Sequence, residues 1–233
     1  MNANNFKAVI FDFDGTLYDN TGIAKALILH HLARFFFMKA ERKARAHFKG
    51  RDFETPENFK KEYYGLASKT AYRSPKTFGE WYEKRYLRYM EKILGQKKFA
   101  AHPKIYEVFK ALSEAGTKIA LYSDYNLIKE RALSCGIKQE ALDLCKCFYS
   151  SETLGCLKPA PRGFLQIAAD LGAKPKECLV VGDRDDTDGQ GARNAGMKFV
   201  QIKTKAQRPV WDLQHPVISW EDFAAKILDG SDF

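Results

Sequence analysis

The stretch FKAVIFDFDGTLYDN, residues 6–20, joins an apolar run to two carboxylates that lie two positions apart. The run Phe6–Phe13 is mostly β-branched and aromatic, which is typical of a buried parallel strand. Asp12 and Asp14 stand at its carboxyl end, where side chains at i and i+2 of an extended chain project to the same side. Ionised groups at a buried strand end are costly unless they are paired or bind a metal. The stretch therefore predicts one site that both carboxylates share.

Working outward, four further β-rich runs alternate with helical patterns. The helical patterns have apolar residues at a spacing of three or four and are followed by a Gly. This alternation predicts an α/β domain with a doubly wound parallel sheet, similar to a Rossmann fold. The predicted strands are Thr117–Tyr122, Cys178–Gly182, Phe199–Lys203 and, with a weaker pattern, Cys147–Ser150, and the helices are Lys104–Ala115, Gly163–Leu171 and Gln190–Ala195.

Residues 20–98 interrupt this series and carry no strand pattern. Residues 21–100 contain 19 Lys and Arg against 8 Asp and Glu, whereas the whole chain has a net charge of +9. Asn20–Met38 and Thr77–Leu94 have the apolar spacing of helices. The sequence thus predicts a basic helical cap at 20–98 inserted into a core formed by 1–19 and 99–233, with the cap aromatics Phe35–Phe37, Trp81, Tyr82, Tyr86 and Tyr89 in its interior.

Composition excludes some classes of protein. The most apolar stretch, residues 26–38, contains His30, His31 and Arg34 and is too short for a membrane span. The first apolar run ends at once in Asp12, unlike a signal peptide, so we expect a cytoplasmic location. The five cysteines form no Cys-x-x-Cys pair, so buried reduced thiols are expected rather than a zinc or redox site.

Polar groups also follow the later strands. Ser123 ends the second strand, Lys158 precedes a predicted helix, and the segment Gly182–Asp188 holds four carboxylates in six positions after another strand. Four close carboxylates repel each other strongly without a cation, and oxygen ligands of this kind suit Mg²⁺. Because parallel strands end at one edge of a sheet, we expect these groups to meet Asp12 and Asp14 there.

The four motifs DFDGTLYDN, LYSD, LKPAPRGF and VVGDRDDTDGQGARNAGM together resemble the haloacid dehalogenase superfamily of phosphatases and phosphotransferases over nearly the whole core. The resemblance implies a small helical cap after the first motif. It also implies that Asp12 is the phosphorylated nucleophile, that Asp14 is the general acid and base, and that Ser123 and Lys158 hold the phosphoryl group. Mg²⁺ would be bound by Asp12, the main-chain carbonyl of Asp14, Asp183 and, directly or through water, Asp188. Arg184 departs from the small residue often found there.

Asp14 favours phosphate-ester chemistry, because relatives that cleave carbon–halogen bonds or pump ions lack this second acid. The expected reaction is magnesium-dependent hydrolysis of a small phosphorylated metabolite. A sugar phosphomutase would use the same residues, and a non-catalytic phosphate-binding or signalling module is a third alternative. Basic residues interleaved with aromatics permit a nucleic-acid substrate, but no nucleic-acid-binding motif is present. The substrate and the oligomeric state are not predicted.

Overall fold

The centre of the protein is a six-stranded parallel sheet, seen in a computed structural model that describes residues 5–205 and 215–233. Numbered along the chain from β1 (Ala8–Asp12) through β2 (Lys118–Ser123), β3 (Cys145–Ser150), β4 (Cys178–Gly182) and β5 (Lys198–Ile202) to β6 (Val217–Ile218), the strands lie in the order β3-β2-β1-β4-β5-β6. This order reverses direction at β1, as in a doubly wound fold. The predicted fold class is therefore confirmed.

β1 is the middle strand, and all five of its residues are buried. Val9 pairs with Ile119 of β2 on one side and with Leu179 of β4 on the other. Helices cover both faces of the sheet, so the central strands β1 and β4 are buried along their whole length. This register brings the carboxyl ends of β1, β2 and β4 to one edge, where the motif residues lie.

Five helices form the insert after β1. Their apolar side chains build a separate aromatic cluster around Phe59, Tyr63, Phe78 and Tyr82. A π-helical turn at Tyr82–Tyr86 joins the last two helices into one rod. The helices are α1 (Ile23–His30), α2 (Phe35–His47), α3 (Pro56–Ala71), α4 (Pro75–Trp81) and α5 (Leu87–Leu94).

The remaining helices pack on the sheet. The largest are α6 (Ile105–Glu114), α10 (Pro161–Asp170) and α12 (Trp220–Asp229), and each buries an apolar stripe against the sheet. None of the helices in residues 5–205 and 215–233 is long and apolar enough to cross a membrane. The smaller helices are α7 (Ile128–Ser134), α8 (Gln139–Asp143), α9 (Ser151–Leu154) and α11 (Gln190–Asn194).

The cap touches the core at a place other than its two chain connections. Residues 50–53 lie antiparallel to residues 155–158 of the core. Gly50 N–H donates to the Lys158 carbonyl at 3.1 Å, and Leu157 N–H donates to the Arg51 carbonyl at 2.9 Å. The loop that carries Lys158 is therefore held by backbone hydrogen bonds to the cap.

Some details differ from the predictions. One helix was expected over Asn20–Met38, but a 3-10 turn at Leu32–Arg34 separates α1 from α2. The buried stripe of Leu27 and His31 does not continue to Phe35, which is 50% exposed, and Phe36 is 59% exposed, so neither lies in the cap interior. β6 was not predicted, because its two residues are too few to form a recognisable strand pattern in the sequence. Residues 1–4 and 206–214, assigned above to the core, lie outside the described residues.

Candidate active site

Asp12 ends β1 and is 7% exposed. Its Oδ1 accepts a hydrogen bond from Lys158 Nζ at 2.7 Å, and its Oδ2 accepts one from Thr16 Oγ1 at 2.9 Å. Burial raises the pKa of the Asp12 carboxyl from 3.8 to about 7, and the neighbouring carboxylates of Asp188 and Asp14 add to the rise while Lys158 opposes it. The nucleophile expected from the sequence thus occupies a dry, strongly charged position.

The turn after β1 needs a glycine. Gly15 has φ +93°, a left-handed conformation that other residues adopt at a cost. A Cβ at this position would stand 2.5 Å from Asp183 Oδ2. The same glycine therefore permits the turn and lets the chain pass close to the acidic loop after β4.

Three carboxylates meet below this turn. Asp12, Asp183 and Asp188 each offer an oxygen, and these oxygens lie within 4.8 Å of one another. Burial raises the pKa of the Asp183 carboxyl well above its usual range, with repulsion from Asp12 and Asp188 as further causes, and burial also raises that of Asp188. Buried carboxylates that repel one another fit a divalent cation with oxygen ligands. Two of the residues predicted to bind metal, Asp183 and Asp188, are thus brought to Asp12.

The Asp14 side chain contacts Arg131 and is not part of the three-carboxylate cluster. Its two oxygens accept hydrogen bonds from Arg131 NH1 at 2.6 and 2.7 Å, and further bonds from Tyr18 and Ser123 hold the same carboxylate. Burial alone raises the pKa of Asp14, but the Arg131 guanidinium and these hydrogen bonds lower it below its usual range. The metal role predicted for Asp14 involved its main-chain carbonyl, and the side chain lies outside the three-carboxylate cluster.

Lys158 links the acidic groups. Its ammonium is buried and donates to Asp12 Oδ1 at 2.7 Å, Asp188 Oδ1 at 2.8 Å and the Tyr122 carbonyl at 2.9 Å. Attraction to Asp12 and Asp188 outweighs burial, which alone would lower its pKa, so the pKa of Lys158 is raised. The sequence placed this lysine before a helix, and the structure places it inside the site.

Ser123 ends β2 and is fully buried. Its hydroxyl donates to Asp14 Oδ2 at 2.7 Å and accepts from Arg131 NH2 at 2.7 Å. The structure therefore joins Ser123 to Asp14. Its role in holding a phosphoryl group stays a prediction.

Arg131 is the residue of the site that sequence reasoning missed. Its side chain is fully buried, and its guanidinium also donates to the carbonyls of Tyr125 and Asn126. The available signal was its place on α7, where Ile128, Arg131 and Ala132 form the buried face of a short amphipathic helix. An arginine on such a face requires a buried acidic partner.

Carboxylates of the acidic loop after β4 also form ion pairs. Arg184 donates to Asp186 at 3.0 and 2.7 Å, and Asp186 also pairs with Lys49 of the cap. Asp185 pairs with Arg193 at 2.7 Å. These two carboxylates lie outside the three-carboxylate cluster, and Asp186 joins cap to core.

A cleft between cap and core opens above the carboxylates. A small cavity of about 140 Å³ contains Asp12, Asp14, Lys158, Asp183 and Asp188. Two larger cavities of about 310 and 410 Å³ adjoin it and extend under α2. The site thus has an acidic floor and room for a small molecule.

Five thiols lie elsewhere. Cys135, Cys145, Cys156 and Cys178 are buried, Cys147 is half-buried, and all five are free thiols in the described parts of the chain. The expectation that most of the cysteines are buried is met, and their reduced state stays a prediction.

Buried carboxylates at the carboxyl edge of a doubly wound sheet, with a lysine and a helical cap, define a hydrolase of the haloacid dehalogenase type. The chain matches the haloacid dehalogenase-like hydrolase family over residues 6–196. It belongs to that family, as its four motifs predicted.

Relatives in sequence carry phosphatase names. Glyceraldehyde 3-phosphate phosphatase of Pyrococcus abyssi is 28% identical over 207 residues, which cover 84% of this chain and 81% of that protein. Phospholysine phosphohistidine inorganic pyrophosphate phosphatase of Xenopus laevis is 32% identical over 100 residues, 43% of this chain and 36% of the relative. The glyceraldehyde 3-phosphate phosphatase of Methanopyrus kandleri matches over only 43% of its length.

Solved structures share the fold. A HAD phosphatase from Thermococcus onnurineus superposes with a TM-score of 0.63 at 22% identity, covering 97% of this chain and all of the other. L-2-haloacid dehalogenase from Xanthobacter autotrophicus gives 0.61 at 16% identity, covering 95% and 98%. At these identities both likenesses show the fold alone.

Proposed function

We propose that this protein is a magnesium-dependent phosphatase that hydrolyses a small phosphorylated metabolite through a phosphorylated Asp12. The observation that carries the proposal is the second carboxylate, Asp14, at the same strand end as Asp12. Hydrolysis of a phosphate ester needs a nucleophile and a separate group that moves protons, and two adjacent carboxylates divide that work. The phosphatase names of the sequence relatives support the same reaction class.

In the first step a carboxylate oxygen of Asp12 attacks phosphorus, and the bond from phosphorus to the ester oxygen breaks. Lys158, which already contacts Asp12 Oδ1 at 2.7 Å, lies where it stabilises negative charge on the transferring group. The departing oxygen takes a proton, for which Asp14 is the proposed donor. The products are a phosphorylated Asp12 and an alcohol.

In the second step water attacks the phosphorylated Asp12 and inorganic phosphate leaves. Asp14 is the proposed base that removes the proton from water. Its contacts with Arg131 lower its pKa and favour the ionised form, which suits the base role. Protonation of the leaving oxygen in the first step requires Asp14 to carry a proton, so we propose that its bonds to Arg131 loosen when an ester binds.

Asp12, Asp183 and Asp188 are the side chains that would hold Mg²⁺, with the carbonyl of Asp14 as the further protein ligand. The cluster fits the ion, because burial raises the pKa of all three carboxyls, and repulsion from other members of the cluster adds to the rise for Asp12 and Asp183. Bound Mg²⁺ would supply charge neutralisation between the nucleophile and the phosphoryl oxygens. The chain's own part is to keep three oxygens together and to hold Lys158 beside them.

A panel of phosphate esters incubated with MgCl₂ tests the proposal by release of inorganic phosphate. Wild-type turnover that EDTA abolishes is expected, together with a loss of at least a thousandfold for Asp12→Asn. Asp185→Asn is the matched control, because Asp185 lies in the acidic loop but outside the carboxylate cluster. Robust turnover by Asp12→Asn would overturn the nucleophile assignment.

The same panel separates hydrolysis from phosphomutase chemistry. A phosphatase converts a sugar phosphate to free phosphate in proportion to substrate consumed. Isomerised sugar phosphate with little free phosphate would replace our proposal by a mutase. Failure of every ester with intact Mg²⁺ binding would favour a non-catalytic phosphate-binding module.

A further inference from the structure

The two larger cavities share a wall whose residues are neither members of the carboxylate cluster nor Lys158. Glu41 and Arg42 of α2, with Tyr125 and Arg184 of the core, line both cavities. Tyr125 and Arg184 also line the small cavity that holds Asp12. A molecule whose phosphate lies at Asp12 therefore extends along this wall.

Most cations of the wall already have partners. Arg45 donates to Glu41 at 2.8 Å and lies 4.0 Å from the centre of the Tyr125 ring. Lys49 and Arg184 both pair with Asp186. Glu41, the carboxylate that lines both cavities, is 1% exposed and committed to Arg45.

Arg42 is different. It is exposed, lines both cavities, and makes no hydrogen bond or ion pair with residues 5–205 or 215–233. An arginine guanidinium offers five donors in a planar fork that matches a carboxylate or a phosphate. No carboxylate in the part of the chain that the structure describes pairs with this cation of the wall.

On the basis of the proposed function, we propose that the substrate is a short phosphate monoester with a second anionic group, a carboxylate or another phosphate, and that Arg42 binds that second group. The reacting phosphate lies over the acidic floor beside Lys158, and the second anion lies further out against α2. An ester without that group leaves Arg42 in water and gains nothing from it. The net positive charge of the cap attracts such doubly anionic molecules.

Matched pairs of esters test this. 3-Phosphoglycerate and glycerol 3-phosphate differ by a carboxylate, and 1,3-propanediol bisphosphate and 3-hydroxypropyl phosphate differ by a second phosphate. We expect kcat/KM to favour the doubly anionic member of at least one pair about tenfold or more. The pair that shows the preference identifies the second anion as carboxylate or phosphate.

Arg42→Gln is expected to reduce that preference to within about twofold. Lys43→Gln is the matched control, because Lys43 is an exposed neighbour on α2 that lines neither cavity. The control is expected to keep the wild-type preference. Equal preference in wild type and Arg42→Gln would overturn the assignment of Arg42.

Binding supplies a readout that does not depend on turnover. Calorimetry of the four esters with Asp12→Asn, alone and combined with Arg42→Gln, measures the same preference in the absence of hydrolysis. If no ester is hydrolysed but the doubly anionic ones bind about tenfold tighter, the phosphatase proposal fails and the subsite stands. If hydrolysis occurs but neither pair differs in binding or in kcat/KM, the subsite fails and the phosphatase stands.

Discussion

Replacing Asp12 by Asn is expected to stabilise the protein at neutral pH in the absence of metal. The Asp12 carboxyl has a pKa of about 7 in the folded protein against an ordinary 3.8, chiefly because it is buried. That rise corresponds to about 4 kcal/mol of unfavourable free energy for the ionised form in the folded state. Asn keeps the shape without the charge, so we expect a gain of about 2–4 kcal/mol at pH 8.

The sign of the pH dependence follows from the direction of the shift. Between pH 4 and pH 7 the folded protein keeps the proton on Asp12, whereas the unfolded chain has released it. The contribution of Asp12 to the free energy of unfolding is therefore fully present below pH 4, falls as pH rises to about 7, and then levels off. Asp12→Asn removes this part of the pH dependence of the free energy of unfolding.

Urea unfolding in EDTA at pH 4.5, 6 and 8 measures the effect. The advantage of Asp12→Asn should grow with pH, and Asp185→Asn, outside the cluster, should show no such growth. Added MgCl₂ at pH 8 should stabilise wild type more than Asp12→Asn, since only wild type keeps all three carboxylates. If Asp12→Asn is less stable than wild type at every pH, attraction to Lys158 outweighs burial and our reasoning is wrong.

Three further perturbations test the geometry of the site. Arg131→Met should destabilise the fold by about 2–4 kcal/mol in urea, because it leaves the partly buried Asp14 carboxylate without its cation, while Lys129→Met on the exposed side of α7 should change the stability by less than about 0.5 kcal/mol. Similar values for both would refute a stabilising pair of Arg131 and Asp14. Gly15→Ala should lower kcat at least tenfold, while Gly22→Ala, with φ +91° and nothing within 4 Å, should cost stability without that loss, and equal kcat losses would point to backbone strain alone. Tyr82→Phe should cost about 1–3 kcal/mol by removing a 2.6 Å hydrogen bond to a buried core carboxylate, and an unchanged urea midpoint would show that this bond between cap and core contributes nothing.

Much of the fold was predictable because its strands are short apolar runs. A strand covered by helices on both faces has no polar side. β1 and β4 therefore appear in the sequence as short runs of apolar residues. The carboxylates of the cluster were predictable for the same reason. Asp12 and Asp183 follow directly after such runs, and parallel strands deliver their carboxyl ends to one edge.

The pairing of Arg131 with Asp14 was not predictable in this way. The two residues are 117 positions apart, and a single arginine in a short helix usually lies in solvent. Only the register of the sheet and the docking of α7 bring the guanidinium to the carboxylate. Phe35 and Phe36 were predicted to be buried but are exposed. Their aromatic character alone does not reveal which side of α2 faces the cap interior.

The cleft is bordered by a carboxylate floor and by a basic wall on its cap side. Its floor holds three buried carboxylates and one buried ammonium, that of Lys158, which pairs with Asp12 and Asp188. Its cap-side wall holds an arginine without an acidic partner among the described residues. Both border connected cavities, which supports our proposal of a cation on the floor and an anionic ester between floor and wall.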